Sequence, residues 1–173
     1  MAELASRERL QPALLDRLTD DDPQNAQPEP REARLIGKNR LRQAVLRDLV
    51  WLLNSTRMGD ADALGGLPHV EGSVVNYGLP PLSGVTASTV DVLQLEEGIR
   101  RAIQFYEPRI LPTSLEVRAL FSEGDLNRHN VVSIEIRGSL WAHPIPLEML
   151  LRTDVDLETG EVRIHDIEGP LAR

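Results

Sequence analysis

The sequence predicts an α+β fold, in which a mostly antiparallel or mixed sheet packs against two helices behind a flexible amino-terminal arm. Two observations predict this fold. Apolar residues recur every three to four positions in two long segments before residue 108, and every second position in four segments after residue 114. The 173 residues are enough for one ordinary domain. We expect that domain at 36–167, with the arm at 1–35 and a short tail at 168–173.

The amino-terminal arm carries an apolar island over residues 10–18, read L-Q-P-A-L-L-D-R-L. We predict one short helix there, because the acidic and proline-rich stretch that follows, up to Pro30, opposes a packed continuation. Leu14 and Leu18 belong to its apolar stripe, and we expect them to contact another subunit. A helix that folds back onto its own domain is an equally weighted alternative.

The first long helix is predicted over residues 39–54, which present a broad apolar face. Asp48 lies close to that face, because its neighbours one turn away are Ala44 and Leu52. A carboxylate in such a position needs a partner. We therefore expect Asp48 to form a structural salt bridge rather than to act in catalysis.

Residues 55–87 are rich in glycine and proline, so they are predicted to be mostly loop, with one short strand at Ser73 to Tyr77. The glycine pair in this loop belongs to no phosphate-binding pattern, since neither G-x-G-x-x-G nor G-K-[ST] occurs in the sequence. No cofactor is expected.

The second long helix is predicted from about residue 88 to about residue 107. Pro108 ends it, because proline disfavours helical geometry in the preceding residue and has no amide hydrogen. Asp91 places a carboxylate near the positive end of the helix dipole. On the charged face we expect two ion pairs between residues four apart, Glu96 with Arg100 and Glu97 with Arg101.

Alternating apolar and polar residues predict four half-buried antiparallel strands, at 115–121, 132–140, 151–157 and 162–166. A polar loop at 122–130 joins the first two strands. The turn before the last strand is predicted at E-T-G-E, residues 158–161, with its glycine at the position that needs a positive φ.

The composition excludes several classes of protein. A net charge of -8 argues against a general binder of nucleic acid or of anionic membranes, because both need clustered basic residues. No apolar run is long enough to span a bilayer, and the start does not resemble a signal peptide. Cysteine is absent and the histidines stand singly, so no metal site is predicted. We expect a soluble, intracellular protein.

The end of the second long helix carries a charged corner, Glu107-Pro108-Arg109, followed by Ile110-Leu111 and Pro112. The two prolines leave the backbone little freedom, so the acidic and basic side chains leave a rigid corner in fixed directions. Such preorganisation lowers the ordering cost of binding. We therefore expect Glu107, Pro108 and Arg109 to act as a protein-binding unit, with a merely solvated helix end as the alternative.

Five phrases of the sequence together resemble the TssE baseplate subunits of bacterial type VI secretion systems. TssE is in turn similar to the baseplate wedge protein of contractile phage tails that carries the old label "lysozyme-like". The phrases are L-L-D-R-L-T-D-D at 14–21, V-L-R-D-L-V-W-L-L-N at 45–54, V-V-N-Y-G-L-P at 74–80, Y-E-P-R-I at 106–110 and R-T-D-V-D-L-E-T-G-E-V at 152–162.

The resemblance implies a structural baseplate wedge component that links the wedge core to the sheath and templates sheath assembly. In that family the Glu-Pro-Arg motif is regarded as the contact to the wedge core bundle, and it maps onto Glu107, Pro108 and Arg109. The implied partners are the wedge subunits TssF, TssG and TssK, the sheath proteins TssB and TssC, and, as a further candidate, the spike hub. The implied location is cytoplasmic, in a baseplate assembled at the inner membrane without insertion of this chain into the bilayer.

A domain that starts a sheath must offer unpaired backbone groups to extended arms of the next layer. Natural monomers normally block such edges. The last strand, with Val162 and Ile164, is the predicted open edge and therefore a second protein-binding element.

Two other functions stay open, a peptidoglycan-cleaving lysozyme-like enzyme and an unrelated α+β protein-binding domain. A glycosidase needs two carboxyl groups about 5 to 9.5 Å apart, one of them held protonated. Arg109 instead favours the charged form of Glu107, while Asp154 and Asp156 fall on the polar face of a strand. We therefore expect no enzyme activity.

Overall fold

Four antiparallel strands form one sheet in the order β1-β2-β3-β4, so each strand pairs with its neighbour in sequence. The computed structural model describes residues 12–19, 37–59, 64, 66–81, 91–120, 131–142 and 145–167. The strands are β1 (Glu116–Leu120), β2 (Val131–Leu140), β3 (Leu147–Asp156) and β4 (Val162–Asp166).

Four α-helices precede the sheet within the part of the chain that the structure describes. They are α1 (Leu14–Leu18), α2 (Lys38–Leu53), α3 (Pro68–Glu71) and α4 (Val92–Tyr106). Short 3-10 helices follow α3 at Val74–Asn76 and precede β1 at Pro112–Ser114. Helix α2 contacts α4 and β4, and α4 contacts β1, so the two long helices cover one face of the sheet. The predicted α+β class is confirmed.

The core lies between these two helices and the inner face of the sheet. Every second residue of the central strands points into it, because successive side chains of a strand point to opposite faces. The opposite face of the sheet is polar and carries charge pairs such as Arg137 with Glu135, which lie two residues apart in β2. Core side chains that the strands contribute include Val117, Val132, Ile134, Ile136, Leu140, Met149, Leu151, Val155 and Val162.

Helix α4 begins and ends close to the predicted positions. Asp91 is its cap, and the carboxylate accepts the amides of Leu93 and Gln94 at 3.0 and 3.2 Å. The predicted pair of Glu97 with Arg101 is confirmed at 2.9 Å. The predicted pair of Glu96 with Arg100 is wrong.

Contacts with other parts of the fold replace the predicted pair of Glu96 with Arg100. The Glu96 carboxylate accepts the backbone amide of Ala119 in β1 at 2.6 Å, while Arg100 pairs with Glu97 at 2.7 Å. A hydrogen bond from a buried backbone amide to a charged group is worth more than an exposed ion pair.

The strand predicted at Ser73 to Tyr77 is also wrong, because the segment Val74–Asn76 forms a 3-10 helix. The buried Asn76 side chain explains the difference: its amide donates to the Glu71 carbonyl at 3.1 Å, and its oxygen accepts the Gly59 amide at 3.1 Å. An asparagine that bonds nearby backbone in this way favours a turn over a ladder. Strand β3 begins at Leu147, four residues before the prediction, since it pairs with the end of β2 as far as Leu140.

The two edges of the sheet are closed to different degrees. Antiparallel pairing turns the backbone groups of alternate residues outward. In β1 these groups meet α4: besides Glu96 at Ala119, the Arg100 guanidinium lies 3.5 Å from the Val117 carbonyl. In β4 the outward groups include those of Val162 and Ile164, because the pairs next to them, such as Asp156 with Glu161, bond inward.

Candidate protein-binding site at the Glu-Pro-Arg corner

The Glu-Pro-Arg corner, residues 107–109, joins the end of α4 to the sheet. The Glu107 amide donates to Ile103 at 2.9 Å and closes the last turn of the helix. Beyond the exposed Pro108, the Trp141 amide donates to the Arg109 carbonyl at 2.7 Å, and Ile110 forms an antiparallel bridge with Leu140. The helix end and the end of β2 therefore hold the corner from both sides.

The Arg109 guanidinium lies between two carboxylates from different elements. Its Nε donates to Glu107 Oε1 at 2.7 Å, and its Nη2 contacts both Glu107 Oε2 and Asp48 Oδ2 at 2.5 Å. The Arg109 amide also donates to Glu107 Oε1 at 3.1 Å. Asp48 belongs to α2, so this single arginine ties α2 to the end of α4. The expected salt bridge of Asp48 is confirmed.

Burial separates the two charged residues of the corner. Glu107 is only 3% exposed, whereas the Arg109 side chain keeps 21% of its surface in solvent. Burial lowers the pKa of Arg109, but hydrogen bonds and charges of Glu107 and then Asp48 outweigh it, so the pKa lies well above its ordinary value. The guanidinium stays charged. The directions of the two side chains are fixed, but Glu107 does not project outward, because its carboxylate is turned back onto Arg109.

Tyr77 and Tyr106 pack beside the corner, and hydrogen bonds hold the loop that carries Tyr77. The Tyr106 and Tyr77 rings meet edge to face with centroids 5.1 Å apart. The Tyr106 hydroxyl lies 2.9 Å from the carbonyls of both Ser73 and Asn76, and it can donate to either. Burial, followed by the charges of Asp48 and Glu107, raises the pKa of Tyr77.

Gly78 allows that loop to approach α2 closely. Its φ is 121°, and a Cβ at this position would lie 2.2 Å from the Ser55 carbonyl oxygen. That carbonyl accepts the Leu79 amide at 2.8 Å, so the loop is bonded to the end of α2 where a side chain would not fit. The V-N-Y-G sequence thus places Tyr77 against the corner.

Helix α1 extends the charge network of the corner. Asp16 pairs with Arg47 at 2.8 Å, and Arg47 pairs with Asp48, also at 2.8 Å. The charges therefore alternate from α1 through α2 to Arg109. The sequence left open whether this helix folds back, and residues 13, 15 and 16 do lie against the domain.

The other side of α1 faces outward. Leu14 and Leu18 are 71% and 74% exposed. They are one helical turn apart and form an apolar stripe away from the domain. Their contact with another subunit remains a prediction. The predicted arm and tail otherwise fall on residues 1–11, 20–36 and 168–173, which lie outside the described residues.

Two hollows flank the corner. One, of about 230 Å³, is lined by Leu15, Trp51 and Tyr77 together with the charged groups. The other, of about 380 Å³, is lined by Ala13, Leu41, Tyr106, Pro108 and Trp141 beside Glu107 and Arg109. Each hollow combines apolar walls with a fixed charge, an arrangement that suits an apolar anchor next to a carboxylate or carbonyl of a partner.

The predicted β4 edge lies apart from this corner, since neither Val162 nor Ile164 lines the two hollows. The Asn54 side chain caps Val162 on both sides: it donates to the Val162 carbonyl and accepts the Val162 amide, each at 2.9 Å. Val162 itself is buried. The outward backbone of Ile164 has no such partner among the residues described. The open part of this edge is therefore at Ile164, two residues further along than Val162.

Asn54 is the contact that sequence reasoning missed. Its side chain satisfies the Val162 backbone as a neighbouring strand would. Val162 lies 108 positions away, so no local pattern signals this contact. The Arg42 guanidinium is a second such case: it binds Asp166 and the Glu148 carbonyl, and so joins α2 to the far end of β4. Both contacts appear only once the sheet is assembled over α2.

The described part of the chain contains no group of three or more acidic or histidine side chains arranged for a metal ion, and none of its helices is long and apolar enough to cross a bilayer. No curated protein and no solved structure matches the chain. The family model of baseplate wedge protein gp25 matches residues 39–145, from the start of α2 through the corner to the end of β2. That match covers more than half of the chain, which therefore belongs to the gp25 family of baseplate wedge proteins, components of contractile phage-tail-like machinery that interact with other baseplate proteins.

Proposed function

We propose that this chain is a TssE-type wedge subunit of a type VI secretion baseplate, in which it links the wedge core to the sheath and templates the first sheath ring. Its wedge partners are TssF, TssG and TssK, and its sheath partners are TssB and TssC. The location is a cytoplasmic baseplate at the inner membrane. The resemblance of the five sequence phrases supports the type VI assignment within the gp25 family.

The observation that carries the proposal is the β4 edge. Asn54 satisfies the outward backbone at Val162, but the outward amide and carbonyl of Ile164 have no partner in the described chain. An extended arm of a sheath subunit adds to such groups by backbone hydrogen bonds. The opposite edge is covered by α4, so strand addition is directed to β4.

The corner supplies the wedge contact in this proposal. Arg109 is held by Glu107 and Asp48 with part of its surface still in solvent, so its position is set before a partner arrives. A partner then meets Pro108, the exposed part of Arg109 and the apolar walls of the larger hollow. Prior ordering of these groups lowers the entropic cost of binding.

An enzymatic role has less support. The two carboxylates nearest to each other in the corner, Glu107 and Asp48, both bind the same guanidinium. A glycosidase acid must instead be kept protonated. We propose that the chain has no glycan hydrolase activity. Clearing of a peptidoglycan suspension by purified protein, lost in Glu107→Gln, would contradict this.

Sheath growth from the assembled baseplate tests the proposal. Ile164→Pro removes the outward amide of β4 and should abolish sheath assembly from TssB and TssC. Ile164→Ala is the matched control, because it loses the same side chain but keeps the amide, and it should support sheaths. The readout is the count of fluorescent sheaths per cell, with circular dichroism of each purified variant as the folding control. Normal sheaths with Ile164→Pro would contradict the role of this edge.

A further inference from the structure

We propose that α1 is a displaceable cover of the Glu-Pro-Arg corner, which the isolated chain closes over its own wedge-binding site and which the wedge core must move aside. This inference rests on the proposed function, because it concerns access to that same site. The segment Leu14–Leu18 and the residue before it supply Leu15 and Ala13 to the walls of the two hollows beside Arg109. A partner that fills either hollow competes with them for the same space.

Unsatisfied polar atoms collect where α1 meets the charge network. Among the described residues, Asp16 Oδ2, Arg47 Nη2 and Arg109 Nη1 are buried without a hydrogen-bond partner. Arg47 Nη2 lies 2.8 Å from Asp48 Oδ1 but lacks hydrogen-bond geometry. Burying a polar atom without a partner opposes the closed arrangement. The cover is therefore attached by groups that a better-matched partner can satisfy.

Among the described residues, the ion pair of Asp16 with Arg47 is the strong contact that holds α1 in place. Asp16 binds Arg47 through one oxygen, whereas Leu14 and Leu18 lie in solvent and contribute little to the contact. A five-residue helix is not stable in isolation, so release from α2 also unfolds it. Closure is thus weak and reversible, although the covalent link to α2 keeps the local concentration of α1 high.

Asp16 can be changed without touching the corner itself. Arg47 keeps its partner Asp48, and Arg109 keeps both of its carboxylates, when the Asp16 carboxylate is removed. Asp16→Asn should loosen the cover, and Asp16→Arg should open it by placing two guanidinium groups together. Leu14 and Leu18 stay in both variants, so any contact they make with a partner is preserved.

The experiment compares the affinity of the full chain and its variants for purified TssF–TssG subcomplex. If the cover is closed in about nine molecules of ten, opening it tightens the apparent Kd about tenfold. We expect that gain for Asp16→Arg and a smaller one for Asp16→Asn. Arg17→Glu is the matched control, since it reverses an exposed charge on the same helix and should leave the Kd unchanged. Amide exchange over residues 12–19 should become faster in Asp16→Arg, less so in Asp16→Asn, and stay unchanged in Arg17→Glu.

The outcomes distinguish failure of the cover proposal from failure of the proposed wedge function. Wild-type binding that neither Asp16 variant tightens overturns the cover and leaves the wedge role intact. Unchanged amide exchange in Asp16→Arg overturns the role given to the Asp16–Arg47 pair. No binding by wild type or any variant overturns the wedge role, and the cover with it. Binding that appears or strengthens only with the Asp16 variants supports both.

Discussion

The Glu-Pro-Arg corner and the β4 edge offer a partner two different kinds of group. At the corner the ion pairs are already made inside the chain, since Glu107 and Asp48 hold Arg109 before any partner arrives. At the β4 edge the backbone of Ile164 is left open, and only Val162 is capped. Changes at the corner should therefore cost folding stability first, whereas changes at the edge should cost assembly with little loss of stability.

Glu107→Ala should have the largest effect on stability. It removes one partner of a buried ion pair, which typically costs about 3 to 5 kcal/mol, and we expect the lower part of that range because Arg109 keeps Asp48 and some solvent contact. The measurement is the free energy of unfolding in urea.

Glu97→Ala is the matched control for that variant, since it removes an exposed carboxylate from pairs with Arg100 and Arg101 and should cost less than about 1 kcal/mol. Glu107→Ala combined with Arg109→Ala should be little worse than either alone, because the two residues act as a pair. Equal stability of Glu107→Ala and Glu97→Ala would remove the distinction between corner and edge.

Gly78→Ala should come next, and it tests the support behind the corner. A Cβ there would overlap the Ser55 carbonyl and break its bond to Leu79, so we expect a loss of roughly 2 to 4 kcal/mol from strain and one hydrogen bond. Gly160→Ala, in the turn that leads into β4, is the control. Its φ is 75° but no atom lies within 4 Å of the added Cβ, so only about 1 kcal/mol of strain is expected. Thermal unfolding of both variants measures the difference.

Asn54→Ala should reduce stability less than Gly78→Ala, and it should lengthen the open part of the β4 edge. The side chain satisfies both backbone groups of Val162, and its loss should cost about 1 to 3 kcal/mol in the free energy of unfolding. It should also increase self-association at high concentration, which size-exclusion chromatography measures. Ser55→Ala, at the same helix end, removes a hydroxyl that donates to the Trp51 carbonyl and should do neither. An unchanged elution volume for Asn54→Ala would mean that the edge is closed by other means.

Proline substitution along β4 should give the smallest effect at the open position and a large one beside it. Ile164→Pro should unfold at the same urea concentration as Ile164→Ala, to within about 1 kcal/mol, because the lost amide points away from β3. His165→Pro removes an inward amide that pairs with Arg152 and should be far less stable. Equal loss in Ile164→Pro and His165→Pro would show that β4 has no open edge.

Most of the fold could be predicted from local pattern. The last strand, both ends of the two long helices within a few residues, and the layer order follow from the period of apolar residues. The ends of β3 could not be predicted, because Leu147 to Leu150 become strand only through pairing with β2. The 3-10 helix at Val74–Asn76 depends on Asn76, whose side chain binds the backbone of Gly59 and of Glu71.

The corner could be predicted in position but not in geometry. The helix stop and the restricted backbone follow from Pro108 alone. That Asp48 needs a partner also follows from its place on the apolar side of α2. The identity of that partner does not, because Arg109 lies 61 positions away and meets Asp48 only after α2 and α4 pack together. The same holds for the depth at which Glu107 is buried.

The contact of Glu96 with Ala119 makes the two edges of the sheet unlike each other, because it helps to close the β1 edge. With β1 shielded by α4 and β4 open at Ile164, the sheet as described has one open edge per copy, so we do not expect copies of this chain to join edge to edge into an endless ribbon. Under the proposed function, such a subunit accepts one incoming sheath strand and is not itself incorporated into the growing polymer. We expect the wedge that holds each corner, and not contacts between neighbouring sheets, to set the number of sites in the ring at which sheath growth starts.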